Sequence, residues 1–187
     1  MKNIYIKEDD ITDIDKLDEY NNEYLNYYSD FEPFATPDNY KDILKNNKLV
    51  REGLGNNGVK EIYYWVIEND KIIGHASIRL NPEVDEDLFK YCGHIMYGVV
   101  PNKRKQGYGT SICHLLIEKM EEMGYKDIYI TCNEDNIGSS KVIENNGGKL
   151  IEVLEPDMKN AIKRTKRYYI DVDDLKRRNQ LWKKKIY

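Results

Sequence analysis

No apolar run in this chain approaches the ~20 residues that a helix needs to cross a bilayer. The N-terminal stretch "MKNIYIKEDDITDIDKLDEY" also lacks the apolar core of a signal peptide. Both absences point to a cytoplasmic protein with no membrane partner. Cysteine is scarce. Cys92, Cys113 and Cys132 are odd in number and widely spaced, which speaks against a disulfide framework and against a zinc site. Each lies in an apolar segment and reads as a buried free thiol. Neither sign of charge dominates: the formal net charge is -4, so the basic excess of a nucleic-acid binder is missing. No internal repeat and no obvious linker is found, which leaves one domain in the 187 residues.

What is present suits a packed, well-solvated domain: 40% of residues are hydrophobic and 33% charged. The first sixty residues read as helix and loop. Ile14, Leu17, Tyr20, Tyr24, Leu25 and Tyr28 recur at helical spacing behind Asp13, a suitable N-cap. A second helix is predicted from about Pro37 to Glu52, ended by "GLGNNG". The period then changes to two. "EIYYWVIE" and "KIIGHASIRL" flank the turn signal "ND" and predict a hairpin. "NPEVDEDLFK" reads as an acidic connection, and Tyr91–Val100 as a third strand stopped by Pro101. A helix with the stripe Ile112, Leu115, Leu116, Met120 and Met123 follows, capped at Gly124. After it come the strand "KDIYITC", the short helix "NIGSSKVIENNGG", and the strands "KLIEVL" and "AIKRTKRYYIDV". The order predicts an α/β fold around a mixed, mostly antiparallel sheet flanked by helices.

The loop "RKQGYGT" joins the third strand to the long helix. A dinucleotide fingerprint has a third glycine where Ile112 stands, and a P-loop has a lysine where Thr110 stands. The spacing R-x-x-G-x-G of Arg104, Gly107 and Gly109 suits a pyrophosphate better. Glycines let the backbone approach, the first-turn N–H groups point at the anion, and Arg104 and Lys105 add charge. Alone, the loop equally fits a plain strand–helix turn.

The loop is followed by the strand "IYITCN" and by "NIGSSKVIENNGG", an N-x-x-S-x-x-V-I-E-x-N-G-G pattern. Taken together, "HIMYGVVP", "RKQGYGT" and this pattern resemble the GNAT superfamily of acyl-CoA-dependent N-acetyltransferases, and most of all a bacterial subgroup of predicted acetyltransferases. The resemblance runs from about Glu61 to Val172 and is weak over the N-terminal helices. It implies a GNAT fold in residues 1–172, with helices in 1–60, a CoA-binding core in 61–172 and a basic extension in 173–187. It implies acetyl-CoA as co-substrate, no metal, and direct attack of a primary amine of a small molecule, peptide or protein on the thioester. Carried over, Val99 and Val100 would offer backbone groups to the pantetheine. Arg104, Lys105, Gln106, Gly107, Tyr108, Gly109 and Thr110 would surround the pyrophosphate. Asn136 and Ser139 would approach the cysteamine end, although Asn136 equally suits an N-cap.

The catalytic groups are less legible. Many relatives carry a tyrosine, acting as acid, at the position that Ile143 occupies here. That leaves His94, Tyr97 and Ser139 as candidates. His94 and Tyr97 are three apart on a strand and point to opposite faces, so at most one reaches the site. An imidazole titrates near ~6.5, which makes His94 the candidate base against a packed histidine. His75 and His114 read as structural. Of "YYW" one face reads as core and the other as a wall for an acceptor groove, while Tyr24, Tyr27 and Tyr28 read as core rather than lid. The acidic run Glu83, Asp85, Glu86 and Asp87 reads as a solvated loop before an acceptor lure. The basic tail, with Leu175, Trp182 and Ile186 as an apolar edge, offers docking on its own domain or on a twin in a homodimer. A non-catalytic acyl-CoA-binding module remains the alternative, kept alive by Ile143.

Overall fold

The computed structural model describes residues 2–9, 15–33, 35–36, 38–157 and 163–177. Expectations resting on Asp13, Ile14, Pro37, Ala161, Ile162, Trp182 and Ile186 fall outside these residues.

A short strand, β1 (Tyr5–Glu8), opens the fold where only helix and loop were predicted. It pairs antiparallel with the next strand, and the period-two pair Ile4 and Ile6 packs on the core. Helices α1 (Asp15–Leu25) and α2 (Tyr40–Glu52) follow. Leu17, Tyr20 and Tyr24 face inward on α1, whereas Tyr27 and Tyr28 lie exposed beyond its end, so only Tyr24 of that trio is core. The hairpin β2 (Glu61–Glu68) and β3 (Lys71–Arg79) turns on Asn69 and Asp70, both at positive φ as a type I′ turn requires.

The acidic connection is not a loop. It holds α3 (Glu86–Cys92), capped by the Asp85 carboxylate, which accepts from Leu88 N–H at 3.0 Å. Glu86 and Asp87 in its first turn complement the helix dipole. The acidic run thus caps a helix, and none of it lines either cavity described below. Helix α3 takes Tyr91 and Cys92 from the predicted third strand, and β4 is only Ile95–Val99. Then come α4 (Tyr108–Glu122), β5 (Asp127–Asn133), α5 (Ile137–Asn145), β6 (Lys149–Leu154) and β7 (Thr165–Asp171). Residues 172–177 are helical; Leu175 packs on the core and Lys176 pairs with Glu121 at 2.5 Å, so this part of the tail docks on its own domain. Among the described residues, no helix is long and apolar enough to cross a membrane.

The strands form two antiparallel sheets, β1-β2-β3-β4 and β5-β7-β6. One face of the first sheet carries Tyr63, Trp65, His75 and Met96 and is covered by α1 and α2. The other carries Ala76, Ile78, Ile95 and Tyr97 and is covered by α4, where Ile112, Cys113, Leu116 and Met120 have no exposed surface. Burying each such Ile or Leu contributes about 1.5–3 kcal/mol.

Between the sheets, β4 and β5 meet at a single bridge, Gly93 with Ile130, and are otherwise unpaired among the described residues. His94 latches this closed end. Its backbone N–H donates to Tyr129 O at 2.8 Å, and its Nδ1 accepts from Tyr129 N–H at 3.0 Å. Toward Val99 the two strands part, and an open wedge forms between the sheets.

Candidate active site

The wedge widens into a cleft of about 1030 Å³. It is walled by the end of β4, the loop before α4 and the start of α5. Sheet parity fixes what β4 shows to it. Val100 N–H donates to Ile73 O and His94 O accepts from Arg79 N–H, so the even-numbered residues bond to β3. The backbone groups of Tyr97 and Val99 therefore face the open edge.

Of the residues singled out in sequence, Tyr97, Val99, Arg104, Lys105, Gly107, Gly109, Thr110, Asn136 and Ser139 line this one cleft. The rest do not. Val100 is buried with its N–H already used. Gln106 turns its amide back to Asn102 O at 2.7 Å. The Tyr108 side chain is buried behind the loop, donating to Glu68 at 2.7 Å, with Lys103 2.6 Å from the same carboxylate. The hydrogen bonds from Lys103 and Tyr108 hold the Glu68 carboxyl below its ordinary range. This cluster fastens the loop from below.

The loop is shaped for an anion. Gly107 sits at φ +85, a left-handed turn that L side chains adopt only with strain, and it starts a 15-residue helix. The first-turn N–H groups of α4 lack intrahelical acceptors and point into the cleft with the positive end of the helix dipole. Lys105 is the cation nearest to this turn in sequence. Arg104 is engaged elsewhere: it donates to Tyr28 Oη at 2.6 Å and to Val99 O at 3.2 Å, tying the loop to the end of α1. Lys141 adds a cation from α5 that sequence reasoning missed. On the same helix Asn136 is the N-cap, accepting from Ser139 N–H at 3.0 Å.

Ile143 is fully buried and offers the cleft no phenol. Tyr97 lines the cleft. Its hydroxyl is shielded from solvent and closes no hydrogen bond among the described residues. Burial pushes its pKa well above the usual tyrosine value; the Cys113 thiol adds to this and Ser139 opposes it. The group is therefore protonated at neutral pH.

His94 departs from the expectation of a base. It lies about 10 Å up the strand from Tyr97, packed among Phe89, Tyr125 and Tyr129. Burial lowers its pKa from 6.5 to about 4. The unfolded chain thus binds a proton between pH 6.5 and 4 that the folded chain refuses, and stability falls with pH across that window. The expected loss is roughly 3 kcal/mol by pH 4. Urea unfolding of wild type and His94→Asn at pH 7 and pH 4 checks it: the variant should lose less on acidification, and parallel losses would remove this account.

His75, read as structural in sequence, packs on Gly98 in the wall of the cleft. The edge of its ring occupies the place where a side chain at Gly98 would lie: a Cβ built there falls 2.5 Å from Cε1 and 2.8 Å from Nε2. Its Nδ1 is 2.6 Å from Tyr20 Oη, with one proton shared between them. Burial holds its pKa below 6.5, so the ring is neutral at pH 7. His75 also lines a second cavity of about 320 Å³, on the α1 and α2 side of the sheet. Gly98, the residue the ring packs against, lines the cleft. The only sequence signal for it was the pairing of two strands, which places residue 75 opposite residue 98.

Solved acetyltransferases of low sequence identity share the fold. The acetyltransferase from Salmonella typhimurium that modifies the N-terminal serine of ribosomal protein L7/L12 superposes with a TM-score of 0.65 at 14% identity, covering 91% of this chain and 96% of that one. RimJ of Mycobacterium smegmatis, in complex with CoA-disulfide, gives 0.65 at 12% identity over 92% and 83%. A chimera of the spermidine N-acetyltransferase SpeG from Vibrio cholerae with hSSAT gives 0.60 at 14% over 93% and 98%. No curated protein matches in sequence. Residues 17–147, from α1 through the glycine loop to the end of α5, match the acetyltransferase (GNAT) family. With the splayed strands and the loop at the head of α4 in place, that match over most of the chain makes this protein a member of the acetyltransferase (GNAT) family.

Proposed function

We propose that the protein transfers the acetyl group of acetyl-CoA to a primary amine by direct attack. The observation that carries this reading is the packing of His75, which lines the second cavity, on Gly98, which lines the cleft. The cofactor lies in the wedge. Its pyrophosphate sits on the N–H groups at Gly107–Thr110 with Lys105 and Lys141 alongside, and its pantetheine runs along the open edge of β4 at Tyr97 and Val99. The amine enters from the helix side.

The roles follow from position. With His75 Nδ1–H donating to Tyr20 Oη, Nε2 presents its lone pair toward the cleft and takes the proton that the amine sheds as its nitrogen bonds the thioester carbon. An open-edge N–H of β4 faces the oxyanion. When the C–S bond breaks, the Tyr97 hydroxyl protonates the departing thiolate, and solvent exchange restores both groups. Because a thiolate of pKa about 8.5 leaves readily, Tyr97→Phe should cost only about tenfold in kcat.

Incubation with acetyl-CoA and a panel of amines, following free thiol, tests the reaction. Turnover on at least one amine is expected. The buried Ile143 favours a second reading, an acyl-CoA-binding module without turnover. CoA binding with no thiol release on any amine selects that module, and no CoA binding at all defeats both.

A further inference from the structure

We infer that the cavity beneath α1 and α2 is the acceptor subsite and that it takes a small primary amine carried on a flat, apolar, aromatic body. The inference rests on the acetyl-transfer reading and adds the substrate class to it.

The volume comes first. About 320 Å³ lies at the small end of ligand pockets, which span ~300–1,000 Å³. It admits a compact molecule and not a length of peptide. The walls come second. Tyr20, Tyr24, Phe31, Tyr40 and Trp65 surround the space, with Met96 at its β4 side. Tyr20 stands edge-on to Tyr24 at 5.3 Å and to Trp65 at 5.4 Å, while Tyr24 stacks on Phe31 at 4.8 Å. Such walls favour a ring in offset or edge-to-face contact.

The polar inventory decides between amines. Among the described residues, Asp9 is the one carboxylate that lines the space, and no lysine or arginine lines it. Asn47 donates to that carboxylate, and burial raises its pKa. The Asn21 amide is spent on Ala35 O at 2.8 Å. A polyamine would bury several cations against one carboxylate. A peptide N-terminus would bring a length of backbone that this volume does not admit. A single amine on an aromatic body has one polar end, and His75 stands at the wall next to the thioester to receive it.

The test measures thiol release at saturating acetyl-CoA with 2-phenylethylamine, tryptamine, spermidine and a hexapeptide with a free N-terminal serine. CoA affinity is measured in parallel by calorimetry. Expected is a kcat/KM at least tenfold higher for the two aromatic amines than for the others. Ala35→Phe, which fills the cavity from its wall, should raise their KM at least tenfold with CoA affinity unchanged. Trp65→Leu, a milder change, should raise it severalfold. Equal or faster turnover of spermidine or the peptide overturns the substrate class and leaves acetyl transfer standing. An unchanged KM in both variants overturns the cavity as the subsite. Silence on every amine with CoA bound overturns acetyl transfer, and this inference with it.

Discussion

With His75 replaced by glutamine, kcat for acetyl transfer is expected to fall about 10²–10⁴-fold, the range a positioned general base supplies. CoA affinity should not change, because the ring packs behind Gly98 and lines the second cavity rather than the cleft. The pH dependence separates a base from a spacer. Burial keeps the folded His75 pKa below its ordinary 6.5. A neutral ring is the working form, so the acid limb of kcat in wild type should lie below pH 6.5, with a plateau above it. Glutamine keeps hydrogen-bonding capacity toward Tyr20 but cannot take up the amine proton, so the limb should vanish with the rate. Gly98→Ala approaches the same point from the other strand, because the added methyl would displace the ring. A His75→Gln enzyme with kcat within threefold of wild type and the same acid limb would remove His75 as the base.

The second large effect belongs to the glycine loop. Gly107→Val places a β-branched residue at φ +85. Open space surrounds the position, so no clash is involved and the cost is backbone strain alone. Strain of this kind is worth about 1–3 kcal/mol. It is relieved by turning the loop out of shape, which moves the N–H groups off the pyrophosphate. CoA binding should weaken roughly 5- to 150-fold. The core beneath α4 is untouched, so the protein should stay folded. Calorimetric titration with CoA alongside thermal unfolding checks both halves. Affinity within threefold of wild type would mean that this turn does not hold the phosphates. Arg104, the other obvious target, is already bonded to Tyr28 and Val99, so its removal should first loosen the loop from α1.

The sequence carried the parts of this protein that depend on local pattern. The hairpin was legible because "ND" sits between two alternating runs, and helix α4 because its apolar stripe repeats every three to four residues. The glycine loop was legible because glycine stands where the backbone takes a left-handed turn, as Gly107 does at φ +85. Local signals also existed where they were overlooked: Asp85 followed by Glu86 and Asp87 is an N-cap with an acidic first turn, and it marks α3. Strand β1 was harder to see, since four residues give barely two periods of alternation.

The catalytic geometry was decided at distances that no local pattern encodes. His94 and His75 both sit in apolar strand contexts, and nothing in their neighbours distinguishes them. Pairing does. Residue 94 falls where β4 is still held to β5, so its imidazole is consumed in latching the sheets, while residue 75 lies across from Gly98, beside the edge that β5 has left. The sequence by itself determined the family and the order of the elements other than β1 and α3, because both rest on spacing along the chain. Which histidine packs on Gly98, which tyrosine lines the cleft while Ile143 is buried, and which aromatic side chains surround the cavity beneath α1 and α2 were decided only by the tertiary structure. Those answers depend on which strand edges stay paired and which faces the helices cover.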